Sequence, residues 1–500
     1  MRIGLLPLDE RPCNFKFPQY IAKIAGVELY LPSKEILSKK RVPADLESVE
    51  QWLLEESNSL DALIVSIDML VYGGLIASRI SQLSTQDAIN RLEILREIKQ
   101  RNKNLTVYGF NVIMRTSNSN SNEEEKEYWK DYGKLLFQYS ELTHKIKVFN
   151  REEDKLLLKE VENSIPKEVI EDYLNGRERN HSVNLALIDL VRDGIIDFAL
   201  LTQDDASPYG LPALEQKELR KRIRENRIQS KVIIYPGADE VGMLLIARAL
   251  NVKKNITPKF KVDFSSVNGP NIITRYEDRP LLEGIKGQIN AVSGLLVDSF
   301  RDADISLLIN TPAIEQGEAY LFYNLDKVEG PFRNLLFLER IGRYCTDVLG
   351  IPVVLGDVAY ANGSDPELME LLEETGFIGS LTGYAGWNTS GNTLGTVISV
   401  GSVWNASLKL EDNQRALKEF LALRVIDDWL YQSKVRTDII NKLLEKGINP
   451  WILEDISEVK KMIVESLRGE VSKHKKYIPF NIKEIVLPWD RLFEIDITFG

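Results

Sequence analysis

The chain carries 500 residues, 44% of them apolar, and a formal net charge of −11. That length and apolar share bury a large core and exclude global disorder, while the acidic balance works against counterion-release binding to nucleic acid or to an anionic membrane surface. Two cysteines, Cys13 and Cys345, exclude a disulfide framework and suit a reducing, cytoplasmic compartment, where both read as buried or incidental thiols.

The opening MRIGLLPLDERP sets a short apolar run against Asp9, Glu10 and Arg11, the pattern of a first β-strand and not of a signal peptide. Runs rich in Val, Ile and Leu lie at Ile3–Pro7, Val27–Leu31, Ala62–Ile67, Leu105–Met114, Ile196–Thr202, Lys231–Tyr235, Ile305–Ile309, Val353–Leu355 and Phe377–Leu381. They have the length of buried parallel strands, and amphipathic stretches of helical length separate them. Segment 259–275 reads as an antiparallel pair or an insertion. The most apolar stretch, Ala62 to Ala77, is shorter than the roughly 20 residues that cross a bilayer and contains Asp68, so no membrane segment is expected.

Strand and helix in alternation predict an α/β fold with a parallel sheet, and a closed TIM-like barrel is favoured over an open doubly wound sheet. Residues 1–402 form the expected catalytic domain. Residues 117–180, polar and then helical, form an insertion within it, opened by the Ser/Asn run Ser117–Asn122. Strand signals fade after residue 402, and patterns such as ALKEFLALRVIDDWLYQ predict a C-terminal helical region over 403–500.

Binding groups in either architecture gather where strands end at their carboxyl side. Asp9 and Arg11 follow the first strand, Asp68 the third, Asn111 and Arg115 the fourth, and Asp204 and Asp205 close the fifth. Two adjacent carboxyls oppose each other's ionisation, which raises one pKa and makes a general acid available near neutrality. The competing reading has Asp205 cap a helix beginning near Pro208. Asp239 and Glu240 form a second acidic pair after the sixth strand, with Glu240 as a reserve acid or base or as a first-turn helix carboxylate. Farther on, Asp357, Asn362 and Asp365, then Tyr384, Trp387, Asn388 and Asn392, combine carboxylates and amides with aromatic rings. Amides hydrogen-bond hydroxyls, and an aromatic face covers the apolar side of a sugar ring. The plainer alternative is that the asparagines serve turns with positive φ.

His144, His181 and His474 are the only histidines and none lies at a strand tip, which argues against a transition-metal site and against Ser-His-Asp or Cys-His catalysis. No phosphate-binding or dinucleotide loop follows a strand. Carboxylate acid–base chemistry remains, with no cofactor and no metal expected. The partner is a small-molecule or oligosaccharide substrate, with no nucleic acid and no membrane, and self-association stays open. The alternatives are a hydrolase or lyase with an oxygen-ligand metal on Asp68, Asp204 and Asp357, acting on a small anionic metabolite, and a sugar-binding protein without catalysis.

Through PLDERPCN, DMLVYGGL, TQDDASPYG, YPGADEVGM, GDVAYANGSD and GYAGWNTSGNTLGT the chain resembles an uncharacterised bacterial domain-of-unknown-function family numbered 4127, over residues 1 to about 400. FALLTQDD, with the Asp- and Asn-bearing tips after it, is also similar to the family 84 glycoside hydrolases, the O-GlcNAcase-type β-N-acetylglucosaminidases, although one residue longer than their strand-closing pattern. That second resemblance implies a barrel glycosidase in which Asp204 orients the substrate's acetamido group and Asp205 protonates the leaving oxygen. It also implies that Asn362, Asp365 and Asn388 hold ring hydroxyls. The mechanism would be the substrate-assisted exception to the two-carboxylate scheme.

Overall fold

The computed structural model describes residues 1–321, 325–451, 453 and 456–500. They fall into two compact units. The first comprises Met1–Glu10, Glu28–Gly242 and Tyr276–Asp278, and the second Arg11–Val27, Met243–Arg275 and Arg279–Gly500. The main division therefore lies near residue 242 and not at 402, and residues 403–500 belong to the second unit.

The first unit is built on six parallel strands: β1 (Arg2–Leu6), β2 (Glu28–Tyr30), β3 (Ala62–Ser66), β4 (Thr106–Ile113), β5 (Phe198–Gln203) and β6 (Val232–Pro236). They lie in the order β2-β1-β3-β4-β5-β6. Every residue of β3 and β5 is buried. A parallel sheet is covered by its crossover helices on both faces, so its strands read as unbroken apolar runs.

The second unit contains β7 (Lys259–Phe264), β8 (Leu295–Leu296), β9 (Ile305–Asn310), β10 (Gly317–Glu318), β11 (Val353–Asp357), β12 (Tyr360–Ala361) and β13 (Gly383–Ala385). Five of them form a parallel sheet ordered β13-β11-β9-β7-β8, while β10 and β12 make a two-residue ladder of their own. Its C-terminal part is the helical succession Glu411–Arg424, Val425–Val435 and Arg436–Glu445, followed by Ser457–Lys473. An antiparallel pair closes the chain, β14 (Ile482–Val486) with β15 (Asp496–Phe499), so the expected helical region also contains two strands.

The α/β class with parallel sheets is thus observed. Among the described residues no strand pairing closes either sheet into a barrel. Two further expectations are corrected. Segment 259–275 contributes β7, a parallel strand inside the second sheet, in place of an antiparallel pair. Phe377–Ser380 is a short 3-10 turn, and the strand follows it at Gly383–Ala385. Phe377 and Ile378 are buried there by the turn, and a short apolar run does not by its own pattern distinguish a strand from a packed turn.

Candidate functional site

In the first unit the carboxyl ends of the middle strands converge on two arginines. Arg79 stands on the short helix Leu75–Ile80, and Arg115 is the second residue after β4. Arg79 Nη2 donates to Asp204 Oδ2 at 2.5 Å, and its Nη1 reaches Glu124 at 3.1 Å. Arg115 donates to Asp205 at 2.5 Å, Glu124 at 3.0 Å and Glu125 at 2.9 Å, and its Nη1 also lies 3.7 Å from Asp204. Four carboxylates thus surround two guanidinium groups, each of which holds several at once, as only the planar fork of arginine can.

The long helix Lys167–Arg192 fixes both arginines in place. Arg177, itself held by Glu215, donates to the backbone carbonyls of Met114 and Arg115. Arg179 and Asn180 both donate to the Ser78 carbonyl, and Arg179 also to that of Ser81, on either side of Arg79. The polar segment read as an insertion therefore does two things. Its loop brings Glu124 and Glu125, and its last helix braces the site from behind.

Asp205 lies at the rim, its side chain 32% exposed, with φ of 45°. That left-handed backbone costs aspartate less than most residues and turns it off the line of the strand. The helix after it begins at Leu211 behind Gly210, so Asp205 does not cap it. Burial, and then the charge of Asp204, push the Asp205 carboxyl up to about 6, against the pull of Arg115 and Arg79. Behind the pair Asp68 is buried and accepts from the Val112 amide at 2.9 Å, and burial raises its carboxyl to about 7.

The remaining first-unit candidates are interior. Asn111 is buried in β4 and donates to Asn184 at 2.9 Å. Asp9 and Asp239 are buried. Glu240 is buried and turned back on its own loop, accepting from the Ala238 amide, and burial raises it to about 8. Gly237, with φ of 140°, has no room for a Cβ against that carboxyl, so this turn requires glycine.

In the second unit the predicted sugar-binding residues form a closed internal network. Asp357 accepts from Asn310 at 2.9 Å, from the Asp365 amide at 2.7 Å and from the Tyr384 hydroxyl at 3.0 Å. Asp365 caps helix Pro366–Glu374 through the Glu367 amide, and also accepts from Asn310 and Arg333. Burial, and then the charge of Asp365, push Asp357 up to about 7. Asn362 and Asn388 sit at φ of 61° and 51°, joined by the Asn362 amide donating to the Asn388 carbonyl, and Asn362 also donates to Glu318. Trp387 bonds Thr396 and meets Phe17 edge-on, and Arg424 covers both rings. The cavity beside Asn362, Trp387 and Asn388 measures about 20 Å³, room for one water and not for a sugar ring. Asn392 lies in the first turn of helix Ser390–Ala406, its amide donating to Thr389. Arg11 stacks on Trp489.

The predicted residues are thus distributed over both units, with Asp68, Arg115, Asp204 and Asp205 in one and the Asp357 network in the other. Sequence reasoning missed Arg79, Glu124 and Glu125. Arg79 had a signal, a lone arginine in the apolar run GGLIASRI, since a buried arginine needs partners. Glu124 and Glu125 had none, because EEEK looks like any solvated charge run.

Among the described residues no helix is long and apolar enough to cross a membrane, and no group of three or more His, Cys, Asp or Glu side chains has metal-binding geometry. No curated protein matches the chain. Among solved structures it is similar to the AHE enzyme from Alicyclobacillus herbarius, at 10% identity over 69% of this chain and 76% of that one, with a TM-score of 0.18, too weak a likeness to carry an argument. A family model described as "Protein of unknown function (DUF4127)" matches residues 3–498, past the motifs that end near residue 400 and through the C-terminal helices, and the chain belongs to that family.

Proposed function

We propose that the chain is a glycoside hydrolase acting on an N-acetylated hexosaminide, with Asp205 as proton donor to the leaving oxygen and Asp204 as the group that orients the substrate. One observation carries the reading: Asp205 is a partly exposed carboxyl at the open end of β5 whose pKa is held near 6, beside a second carboxyl pinned by Arg79. A general acid is most effective with its pKa close to the working pH. Both carboxyls reach the same Arg115 nitrogen, at 2.5 and 3.7 Å, so one sugar unit can meet both. In the substrate-assisted route the acetamido oxygen and then water displace in turn at the anomeric carbon, so its configuration is retained.

In the substrate-assisted route the acetamido oxygen attacks the anomeric carbon as the glycosidic bond breaks and Asp205 gives its proton to the departing oxygen. Water then opens the ring so formed, giving its proton back to Asp205. Glu240, buried on its own loop, has no part in these steps.

The test is Asp205→Asn assayed on aryl N-acetylhexosaminides. Turnover of substrates with poor leaving groups is expected to fall by about 10²- to 10⁴-fold, with far less loss for an activated nitrophenyl leaving group. Wild-type kcat/KM should decline as pH rises through about 6, because the donor must carry its proton. Equal losses for both kinds of leaving group would remove Asp205 from the role, and a wild-type protein inert toward every such glycoside would sink the reading.

A further inference from the structure

The second sheet has a switch point that the proposed chemistry does not use. From β7 the chain crosses to β8 on one side, then returns to β9 on the other side and continues outward to β11 and β13. The crossovers from β7 and β9 therefore leave in opposite directions, which opens a crevice at their carboxyl ends. In open α/β sheets that crevice is where ligands bind.

A cavity of about 430 Å³ lies at the end of β7, within the size range of small-molecule sites. Its walls include Phe264 at the end of β7, Ser265 and Val267 after it, Phe332 and Arg333 from the segment leading into helix Leu335–Arg343, and Phe337 in the first turn of that helix. The site is rigid at its base. Ser265 Oγ donates to Asn310 and accepts from the Thr311 amide, tying together the ends of β7 and β9. The Asn334 amide donates to the Ser265 carbonyl and the Val267 amide to that of Phe332, tying the two walls to each other.

The walls also say what fits. Phe332 and Phe337 are 48% and 61% exposed, two aromatic rings left to solvent at the edge of a cavity. Arg333 is the cationic group in the wall, and it is already paired with Asp365 and Glu367, while Asp263 adds a further carboxylate. With its one cation already paired and a carboxylate beside it, the wall disfavours a phosphate or carboxylate ligand. Exposed aromatic faces with serine and amide groups nearby suit a neutral ring whose apolar face stacks and whose hydroxyls bond.

We propose that the cavity at the carboxyl end of β7, next to this switch point, is a second carbohydrate site, which binds a neutral hexose-type ring of the glycan by stacking on Phe332 and Phe337. The site itself stands on topology and cavity, and the choice of a glycan as ligand rests on the glycosidase reading above.

The experiment is calorimetric titration of the full chain with a thio-linked N-acetylglucosamine trisaccharide, which resists hydrolysis. Two sites per chain are expected, and one of them should vanish in the double variant Phe332→Ala with Phe337→Ala. Both side chains are exposed enough that the thermal melt should stay where it is. One site in the wild type that vanishes in the double variant upholds the inference and counts against the glycosidase reading. One site that survives the double substitution overturns the inference and leaves that reading standing. No saturable binding, or displacement of the sugar by inorganic phosphate at the Phe332 site, also overturns it.

Discussion

Five of the first sheet's six strands, β2-β1-β3-β4-β5, repeat the order of the second sheet, β8-β7-β9-β11-β13, yet the two sheets treat their carboxyl ends in opposite ways. In the first, the polar ends meet around two arginines and leave carboxylates such as Asp205 open to solvent. In the second, Asp357, Asp365, Asn310 and Tyr384 satisfy one another out of contact with water. Polar residues at strand ends are therefore common to a solvent-open carboxylate cluster and to a closed structural knot. Whether a member keeps an open side separates them.

The sharpest way to break this contrast is to remove one ionic partner from each network. Arg333 and Asp365 are 2% and 0% exposed, so Asp365→Ala takes the buried partner from a guanidinium that keeps only the exposed Glu367 of that pair, and it removes a helix cap. A loss of about 3–5 kcal/mol is expected, read as the urea midpoint at constant m-value. Arg79→Met in the first unit leaves Asp204 and Glu124 with side chains 18% and 22% exposed, able to recruit water or a proton. Its cost should be smaller, about 1–3 kcal/mol. If Arg79→Met proved the costlier change, the first network would be the structural one.

The same contrast explains what could be read in the sequence. Most strands were legible, because a parallel sheet writes itself as apolar runs such as ALIVS and ISLLIN. β7 was misread because KFKVDF alternates in the manner of a half-solvated antiparallel strand. Its neighbour β8 is only two residues long, and Lys259 and Lys261 keep part of their surface in solvent. Asp204 and Asp205 stood out as a pair, while Arg79, which holds one of them, was concealed within a buried apolar helix. The grouping of Asp357 with that pair came from their shared position at strand ends. Position after a strand is local information, and which unit a strand joins is not.

A pH series tests the second network further. Asp357 is held up to about 7 by burial, whereas the unfolded carboxyl titrates near 4. Between those values the unfolded chain loses its proton and the folded one keeps it, so this group's contribution to stability is fully present at low pH and declines as pH rises toward 7. Relative to Asp357→Asn, which has no such proton, the wild type should lose about 1.4 kcal/mol per pH unit over that window. A difference between the two that stays constant from pH 4 to 7 would mean that Asp357 is ionised in the folded protein.

The smallest expected effect separates the two readings of the asparagines. If Asn388 is there because φ of 51° excludes most side chains, Asn388→Gly should cost less than about 0.5 kcal/mol, while Asn388→Ala, which must adopt the same left-handed backbone with an ordinary Cβ, should cost about 1 kcal/mol. If the amide instead holds a ligand, both substitutions should weaken oligosaccharide binding alike and the glycine variant should gain nothing over the alanine one. The Asn388 carbonyl, which accepts from the Asn362 amide, is present in every variant, so that bond survives wherever the backbone keeps its turn. Glycine's advantage over alanine in the thermal melt thus measures the backbone requirement alone, and its presence or absence decides whether Asn388 belongs with the structural knot or with a sugar pocket.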